Sequence, residues 1–259
     1  MDVLVIFGSS SDAHVYTKIL GILKKNKINY EARIISAHKT PAELDTVLAK
    51  PHKIVISGAG LAAALPGTIA SKTIRPVIGV PVRSDYQGLD ALLSIIQMPP
   101  GIPVLAAGVN QAEVAAISAV KMLKKYEIVN LIGDRSNKAL LEAENILKEF
   151  DVDFKHSDEA DKNAVNLEFV YFDEPIEKKD ELVIYCPLLL EEDMKAEAAL
   201  NLLNHSSHGL WVGLNNGKNA ALAAIEILNL GGNYSSELDS YRNELKEKTK
   251  KSDKEVQNQ

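Results

Sequence analysis

The segment 36–41, "SAHKTP", places a histidine, a lysine and two hydroxyl side chains within six residues, directly after an apolar run. His38 can accept or donate a proton, because an imidazole titrates near neutral pH. Ser36 and Lys39 can bind a phosphate, the lysine as a point charge. These residue types predict proton transfer beside an anion site. A capped helix start, with Pro41 in its first turn and one exposed histidine, would use the same residues.

The segment 8–12, "GSSSD", also follows an apolar run and opens a predicted helix. A glycine followed by hydroxyl side chains at a helix start presents free N–H groups to an anion, here beside Ser9 and Ser11. Asp12 could hold a ribose hydroxyl or an amine. Serine and aspartate are also preferred helix caps, so a purely structural cap explains this segment equally well.

The segment 58–67, "GAGLAAALPG", is rich in small residues. Small residues let the backbone approach a flat ligand closely, and glycine permits turns that larger residues resist. The same composition suits tight packing of a helix against a strand. The candidate ligand contacts in this segment are Gly58, Ala59, Gly60, Ala64 and Leu65.

Alternating strands and helices must position these three segments. Apolar, β-branched runs predict strands at Val3–Phe7, 29–36, 54–57, 76–82 and 102–108. Helical patterns between them predict a parallel sheet that is covered on both faces. Such sheets bind ligands beyond the carboxyl ends of their strands. The polar and glycine-rich segments fall at those ends, at 8–12, 36–41, 58–67 and 83–88.

The second half of the chain repeats the first. "VLVIFGSSSD" aligns with "IVNLIGDRSN", and "GIPVLAAGVNQAEVAAISAV" aligns with "GLWVGLNNGKNAALAAIEIL". The offset falls by about 17 residues between these two matches, and we place the loss at the glycine-rich and "QMP" loops. The sequence therefore predicts a first unit at 1–124, a shortened second unit at 125–232, and a charged helical tail with a disordered end at 233–259.

Composition narrows the class of protein. The chain has 259 residues, a formal net charge of −6 and one cysteine. It lacks the basic footprint of a nucleic-acid binder, and a single thiol fits a reducing compartment. The sequence shows neither a signal-peptide pattern nor the roughly 20 apolar residues of a spanning helix. We therefore expect a cytoplasmic protein that contacts neither nucleic acid nor membrane.

Taken in order, these segments resemble the PurE family of purine-biosynthesis enzymes. The resemblance covers about residues 1–123. It implies a flavodoxin-like three-layer sandwich, a homo-oligomer and no cofactor. The motifs that carry it are "GSSSD", "SAHKTP", "GAGLAAALPG", "GVPV", "GLDALLSIIQMPPGIPV" and "AAISAVKML".

The resemblance also implies a reaction that makes 4-carboxy-5-aminoimidazole ribonucleotide. One branch of the family rearranges the N5-carbamate of the ribonucleotide, and the other adds carbon dioxide to aminoimidazole ribonucleotide. Matching motifs make Ser9 and Asp12 substrate contacts, Ser36 and Lys39 phosphate contacts, and His38 the proton carrier. The segment from Gly58 to Leu65 would lie over the base and its carboxylate.

Two departures from the family pattern leave the branch open. Lys39 and Ala64 replace the arginine of "SAHRTP" and the histidine of "GAGxAAHLPG" that are usual in the mutase branch. Both replacements favour the carboxylase branch, whereas "GVPV" and "SIIQMPPGIPV" favour the mutase branch.

The second unit is more degenerate than the first. Asn137 stands in the aspartate position, and no segment near His156 resembles "SAHKTP". We expect this unit to be structural, so that four two-unit chains, rather than eight short ones, build the octameric core. Two other interpretations stay open, namely an inactive nucleotide-binding or scaffolding paralogue and a flavodoxin-like module with a mononucleotide cofactor.

Overall fold

A single ten-stranded sheet runs through the computed structural model, which describes residues 1–172, 175–189 and 195–258. Residues 173–174, 190–194 and 259, in the predicted second unit and tail, lie outside the described residues. The strands are β1 (Val3–Phe7), β2 (Tyr30–Ile34), β3 (Ile54–Ala59), β4 (Val77–Pro81), β5 (Leu105–Ala106), β6 (Val129–Ile132), β7 (Phe154–His156), β8 (Val165–Val170), β9 (Val183–Pro187) and β10 (Leu210–Trp211).

Helices cover both faces of this sheet. They are α1 (Ala13–Lys25), α2 (Pro41–Leu48), α3 (Ala64–Ala70), α4 (Leu89–Ile96), α5 (Ala112–Met122), α6 (Lys138–Glu149), α7 (Lys195–His205), α8 (Gly217–Leu228) and α9 (Ser235–Gln257). One apolar core lies between the sheet and α1, α5, α6 and α8. The other lies between the sheet and α2, α3, α4 and α7. The α/β prediction is therefore confirmed.

The strand order is the same in both halves of the sheet. The full order is β2-β1-β3-β4-β5-β10-β9-β8-β6-β7, so each half follows the flavodoxin-like order 2-1-3-4-5 from its outer edge inwards. All pairings are parallel except the central one, where Trp211 on β10 pairs with Ala106 on β5 in an antiparallel arrangement. Two sets of strands therefore meet edge to edge in one sheet.

Several sequence expectations need correction. The strand predicted at 102–108 is reduced to Leu105–Ala106. The tail helix continues to Gln257 instead of ending in disorder, because no glycine or proline interrupts it after Ser235. None of the described helices is long and apolar enough to cross a membrane.

Only part of the length difference between the two halves lies at the glycine-rich segment to which the sequence alignment assigned it. Nineteen residues with helix α2 connect β2 to β3, whereas only eight residues, 157–164, connect β7 to β8. All eight are described, and they form no helix. The connection from β8 to β9 is also shorter than that from β3 to β4, by five residues, and its described residues form no helix. Most of the length difference therefore lies in the connection that contains α2 in the first half. A sequence offset measured only at its two ends does not reveal this position.

Candidate functional site

A cavity of about 600 Å³ opens at the carboxyl ends of β1 to β4. It brings together ten of the eleven residues predicted from the sequence; Gly58 is the exception. These ten are Ser9, Ser11, Asp12, Ser36, His38, Lys39, Ala59, Gly60, Ala64 and Leu65. Three connections that are distant in sequence therefore face one space.

The loop after β1 is held by its own serines. The Ser11 N–H and the Ser11 hydroxyl both donate to Ser9 Oγ, at 3.2 and 2.8 Å. Asp12 occupies the N-cap position of α1, but its side chain makes no capping hydrogen bond. Its carboxylate is almost buried, accepts from the Ser11 hydroxyl at 3.1 Å and lines the cavity. Burial raises the pKa of Asp12 above its usual value, against the lowering effects of the Ser11 hydrogen bond and His14.

The loop after β2 turns back on itself before α2 begins. The Lys39 N–H donates to Ser36 Oγ at 3.2 Å, and the Ser36 N–H donates to Thr40 Oγ1 at 3.0 Å. Thr40 occupies the N-cap position of α2, but its side chain closes the loop and makes no capping hydrogen bond. The loop leaves His38 and Lys39 exposed at the cavity, directly before the N-terminus of α2. A cation beside a helix N-terminus favours an anion.

The loop after β3 owes its shape to two left-handed residues, Leu61 (φ 57°) and Ala63 (φ 39°). The Ser94 hydroxyl donates to the Ala62 carbonyl and ties the loop to α4. Gly60 lies against β4, because a Cβ there would be 3.3 Å from the Val82 carbonyl oxygen. This loop brings a wall of backbone and small side chains to the cavity.

Gly58 has a packing role instead of a place at the cavity surface. A Cβ on this residue would lie 2.1 Å from Cε1 of the Phe7 ring on the neighbouring strand. Gly58 therefore lets the Phe7 ring lie against β3. A glycine in a sequence does not distinguish this packing role from ligand contact.

Arg83 and Ser84 also line the cavity, and no role was predicted for either. They follow β4, the fourth strand whose carboxyl end reaches this edge of the sheet. Segment 83–88 is polar and follows a predicted strand, so the sequence did indicate that it lies at this edge of the sheet. It matches no motif with a distinctive residue pattern, and no role could therefore be assigned to its residues. Among the described residues, no group of three or more His, Cys, Asp or Glu side chains could hold a metal ion.

The corresponding loops of the second half are arranged differently. After β6, the Ser136 N–H donates to Asp134 Oδ1 at 2.9 Å, which reproduces the turn after β1. Asn137, however, caps α6 by accepting from the Ala139 N–H at 2.8 Å. His156 ends β7 and lies 3.1 Å from Glu144 on α6. These side chains are used for packing and capping.

The fold and the position of the cavity place this chain among flavodoxin-like α/β proteins with a ligand site at the carboxyl edge of the sheet. The family model for AIR carboxylase matches residues 2–130. An N5-carboxyaminoimidazole ribonucleotide mutase from Methanocaldococcus jannaschii is 49% identical over 123 residues, which cover 47% of this chain and 78% of the relative. The chain belongs to the AIR carboxylase family.

Two further similarities concern proteins from other groups of organisms. A chloroplastic phosphoribosylaminoimidazole carboxylase from Vigna aconitifolia is 42% identical over 156 residues, which cover 58% of this chain and 28% of the relative. A crystal structure of Treponema denticola PurE is 33% identical and covers 46% of this chain and 78% of that chain, with a TM-score of 0.41.

Proposed function

We propose that this chain forms 4-carboxy-5-aminoimidazole ribonucleotide. Its substrate is either the N5-carbamate of the ribonucleotide or aminoimidazole ribonucleotide with carbon dioxide derived from bicarbonate. The cavity is the observation that carries the proposal, because it gathers a proton-transfer histidine, an anion-binding loop and a wall of small residues. The names of the relatives that are 49% and 42% identical agree with it.

The proposed chemistry needs one group that moves protons. Carbon 4 of aminoimidazole is an enamine-like nucleophile, and its attack on carbon dioxide forms a C–C bond and leaves a proton on that carbon. His38 removes this proton and restores the aromatic ring. Starting from the carbamate, cleavage of the N–C bond releases carbon dioxide and leaves the ring amine in need of a proton. The same imidazole then supplies the first proton and accepts the second.

The rest of the cavity binds and orients the ribonucleotide. Ser36 and Lys39 hold the phosphate at the N-terminus of α2, where the helix dipole adds to the lysine charge. Ser9 and Asp12 contact the sugar or the amine. The loop from Ala59 to Leu65 lies over the base. Fixing both reactants in one cavity supplies much of the rate enhancement, and no cofactor enters the scheme.

We further propose that residues 125–232 are a degenerate copy of residues 1–124 and serve a structural role. The shared strand order and the shared turn at Ser11 and Ser136 support this. Four such chains would then form the core that eight single-unit chains form in the family. Light scattering tests this, since four times the 28.2 kDa chain is expected and eight times that mass contradicts it.

The proposed function and its branch are tested in one pair of assays. The purified chain is offered aminoimidazole ribonucleotide with bicarbonate and, separately, the N5-carbamate, and product is followed by ultraviolet absorbance. Turnover of the first alone assigns the carboxylase branch, which Lys39 and Ala64 favour, and turnover of the second alone assigns the mutase branch. If neither substrate is turned over, the proposal is wrong, and the chain is better explained as an inactive nucleotide-binding paralogue. We expect either protein to be cytoplasmic.

A further inference from the structure

Arg83 is held at the edge of the cavity by its backbone. Its N–H donates to Asn110 Oδ1 at 3.0 Å, and the Asn110 N–H donates to the Pro81 carbonyl at 2.8 Å. The preceding Val82 N–H donates to the Ala59 carbonyl at 2.9 Å. The start of the Arg83 side chain is therefore fixed relative to β3 and β4.

We call this pair of hydrogen bonds made by one asparagine the asparagine clamp. The second half contains the same clamp, with a leucine in place of the arginine. The Asn215 N–H donates to the Pro187 carbonyl at 2.8 Å, and Asn215 Oδ1 accepts from the Leu189 N–H at 3.1 Å. Asn110 and Asn215 both have left-handed backbones, with φ of 59° and 53°. Since a leucine can stand at this position in the clamp, the frame does not require the guanidinium of Arg83.

The Arg83 side chain is available to a ligand. It is exposed and lines the cavity. Among the described residues, no carboxylate lies within ion-pair distance of it and no side-chain hydrogen bond involves its guanidinium. Of its two acidic neighbours in sequence, Asp90 accepts from the Ser84 hydroxyl at 2.9 Å, and Asp85 is exposed.

Arg83 and Lys39 lie on opposite flanks of the cavity. Lys39 follows β2 and Arg83 follows β4, and the strand order places β1 and β3 between them. Three inter-strand spacings separate the two strands by about 14 Å at the sheet. A ligand that bridges both cations needs an anionic group at each end.

We propose that Arg83 binds the carboxylate on the base of the ribonucleotide, while the Lys39 loop binds the phosphate at the other end. This inference rests on the function proposed above. A helix N-terminus with a lysine suits a phosphate, and the planar fork of an arginine matches a planar carboxylate in two parallel hydrogen bonds. Arg83 then distinguishes carboxylated from uncarboxylated ribonucleotide, and it is a specificity-determining residue.

The test compares two ligands that share the phosphate and differ in the carboxylate. Calorimetry measures the dissociation constants of 4-carboxy-5-aminoimidazole ribonucleotide and of aminoimidazole ribonucleotide for the full chain and its variants. Arg83→Gln is expected to weaken binding of the carboxylated ligand about tenfold to a hundredfold, as for loss of a charge-assisted hydrogen-bonded pair. Binding of the uncarboxylated ligand is expected to change less than about threefold. Arg83→Lys is expected to restore only part of the loss.

Two control variants complete the design. Arg135→Gln removes an exposed arginine from the loop after β6 and is expected to leave both constants unchanged. Lys39→Gln is expected to weaken both ligands to a similar extent, because both carry the phosphate. Equal weakening of both ligands by Arg83→Gln, or of neither, overturns the assignment of Arg83. If the unaltered chain binds neither ligand and turns over neither substrate, the proposed function itself fails.

Discussion

The two halves of the sheet share their strand order and differ in the connections between their strands. Both have the strand order 2-1-3-4-5, the serine-closed turn after the first strand and the asparagine clamp after the fourth. Among the described residues, the connections from the second to the third strand and from the third to the fourth contain helices, α2 and α3, in the amino-terminal half alone. The cavity with its histidine lies in that half.

Buried polar residues lie beneath the short connections of the second half, whose described residues form no helix. In the amino-terminal half, Leu4 pairs with Val55, and both belong to the apolar core beneath α2 and α3. At the corresponding place in the second half, Asn130 pairs with Asn166, and both are fully buried. The two N–H groups of the Asn166 amide face three carbonyl oxygens in or beside the short connections, those of Asp161, Ala164 and Leu182, at 2.9 to 3.2 Å from Nδ2.

The sheet and its connections therefore have separate roles. Strand pairing and asparagine clamps keep the sheet in order with or without α2 and α3. Two asparagines can hold a loop over the sheet where a helix is missing, because they satisfy the backbone groups that the loop buries. The chemistry depends on the connections, which is the usual division of labour between a sheet and its loops.

The largest expected effect comes from the histidine after β2. His38→Asn is expected to lower turnover about 10²- to 10⁴-fold, since it removes the group that moves the proton. The measurement is product formation under saturating substrate. His156→Asn is the matched control from the second half and is expected to retain activity within about twofold. Equal losses in both variants would remove the distinction between the halves.

The next effect concerns the asparagine pair. Asn166→Val places an apolar side chain where the amide now bonds to the loop, so buried carbonyls and the Asp161 N–H lose their partners. We expect the free energy of unfolding to fall by about 2–4 kcal/mol, as judged from buried unsatisfied groups. Urea denaturation measures it. A variant as stable as the unaltered chain would show that the loop does not need this network.

A smaller effect on activity is expected at Asp12, a proposed substrate contact that aligns with the helix-capping Asn137 of the second half. Asp12→Asn keeps the shape of the side chain and removes its charge, and we expect kcat/KM to fall about tenfold. Burial raises the folded-state pKa of Asp12, so its favourable contribution to stability is present below the unfolded pKa and is lost as pH rises. The variant should therefore be at least as stable as the unaltered chain at neutral pH, by thermal denaturation. Unchanged activity with lower stability would make Asp12 a structural residue.

The smallest effect is expected at Asn137, the residue of the second half that aligns with Asp12. Asn137→Ala removes the cap of α6, and we expect a loss of about 1 kcal/mol in the free energy of unfolding. Turnover should stay unchanged. A fall in turnover comparable to that of Asp12→Asn would mean that the second half takes part in the reaction.

Much of the fold could be predicted from the sequence, because it depends on local patterns. The bounds of β1 agree with the apolar run that predicted them. The edge-to-edge joining of β5 and β10 could not be predicted, since that contact uses backbone groups that every sequence carries. The position of the shortening was also hidden, because two end matches do not locate a deletion.

The candidate site was predictable where residue types are distinctive. His38, Lys39 and the serines stand in a pattern with a chemical meaning, and they line one cavity. Gly58 was misplaced because small residues mark both ligand contact and close packing. Arg83 was missed because a single arginine in a polar loop has no motif, and only the tertiary structure brings it to the same cavity as Lys39.

A crystal structure of the full chain with bound 4-carboxy-5-aminoimidazole ribonucleotide would show whether the reacting carbon lies beside His38. We predict one ligand per chain, in the cavity at the carboxyl ends of β1 to β4, with ring carbon 4 within proton-transfer distance of the His38 imidazole. A ligand bound at the loops after β6 and β7, or a ring carbon 4 remote from His38, would contradict the account.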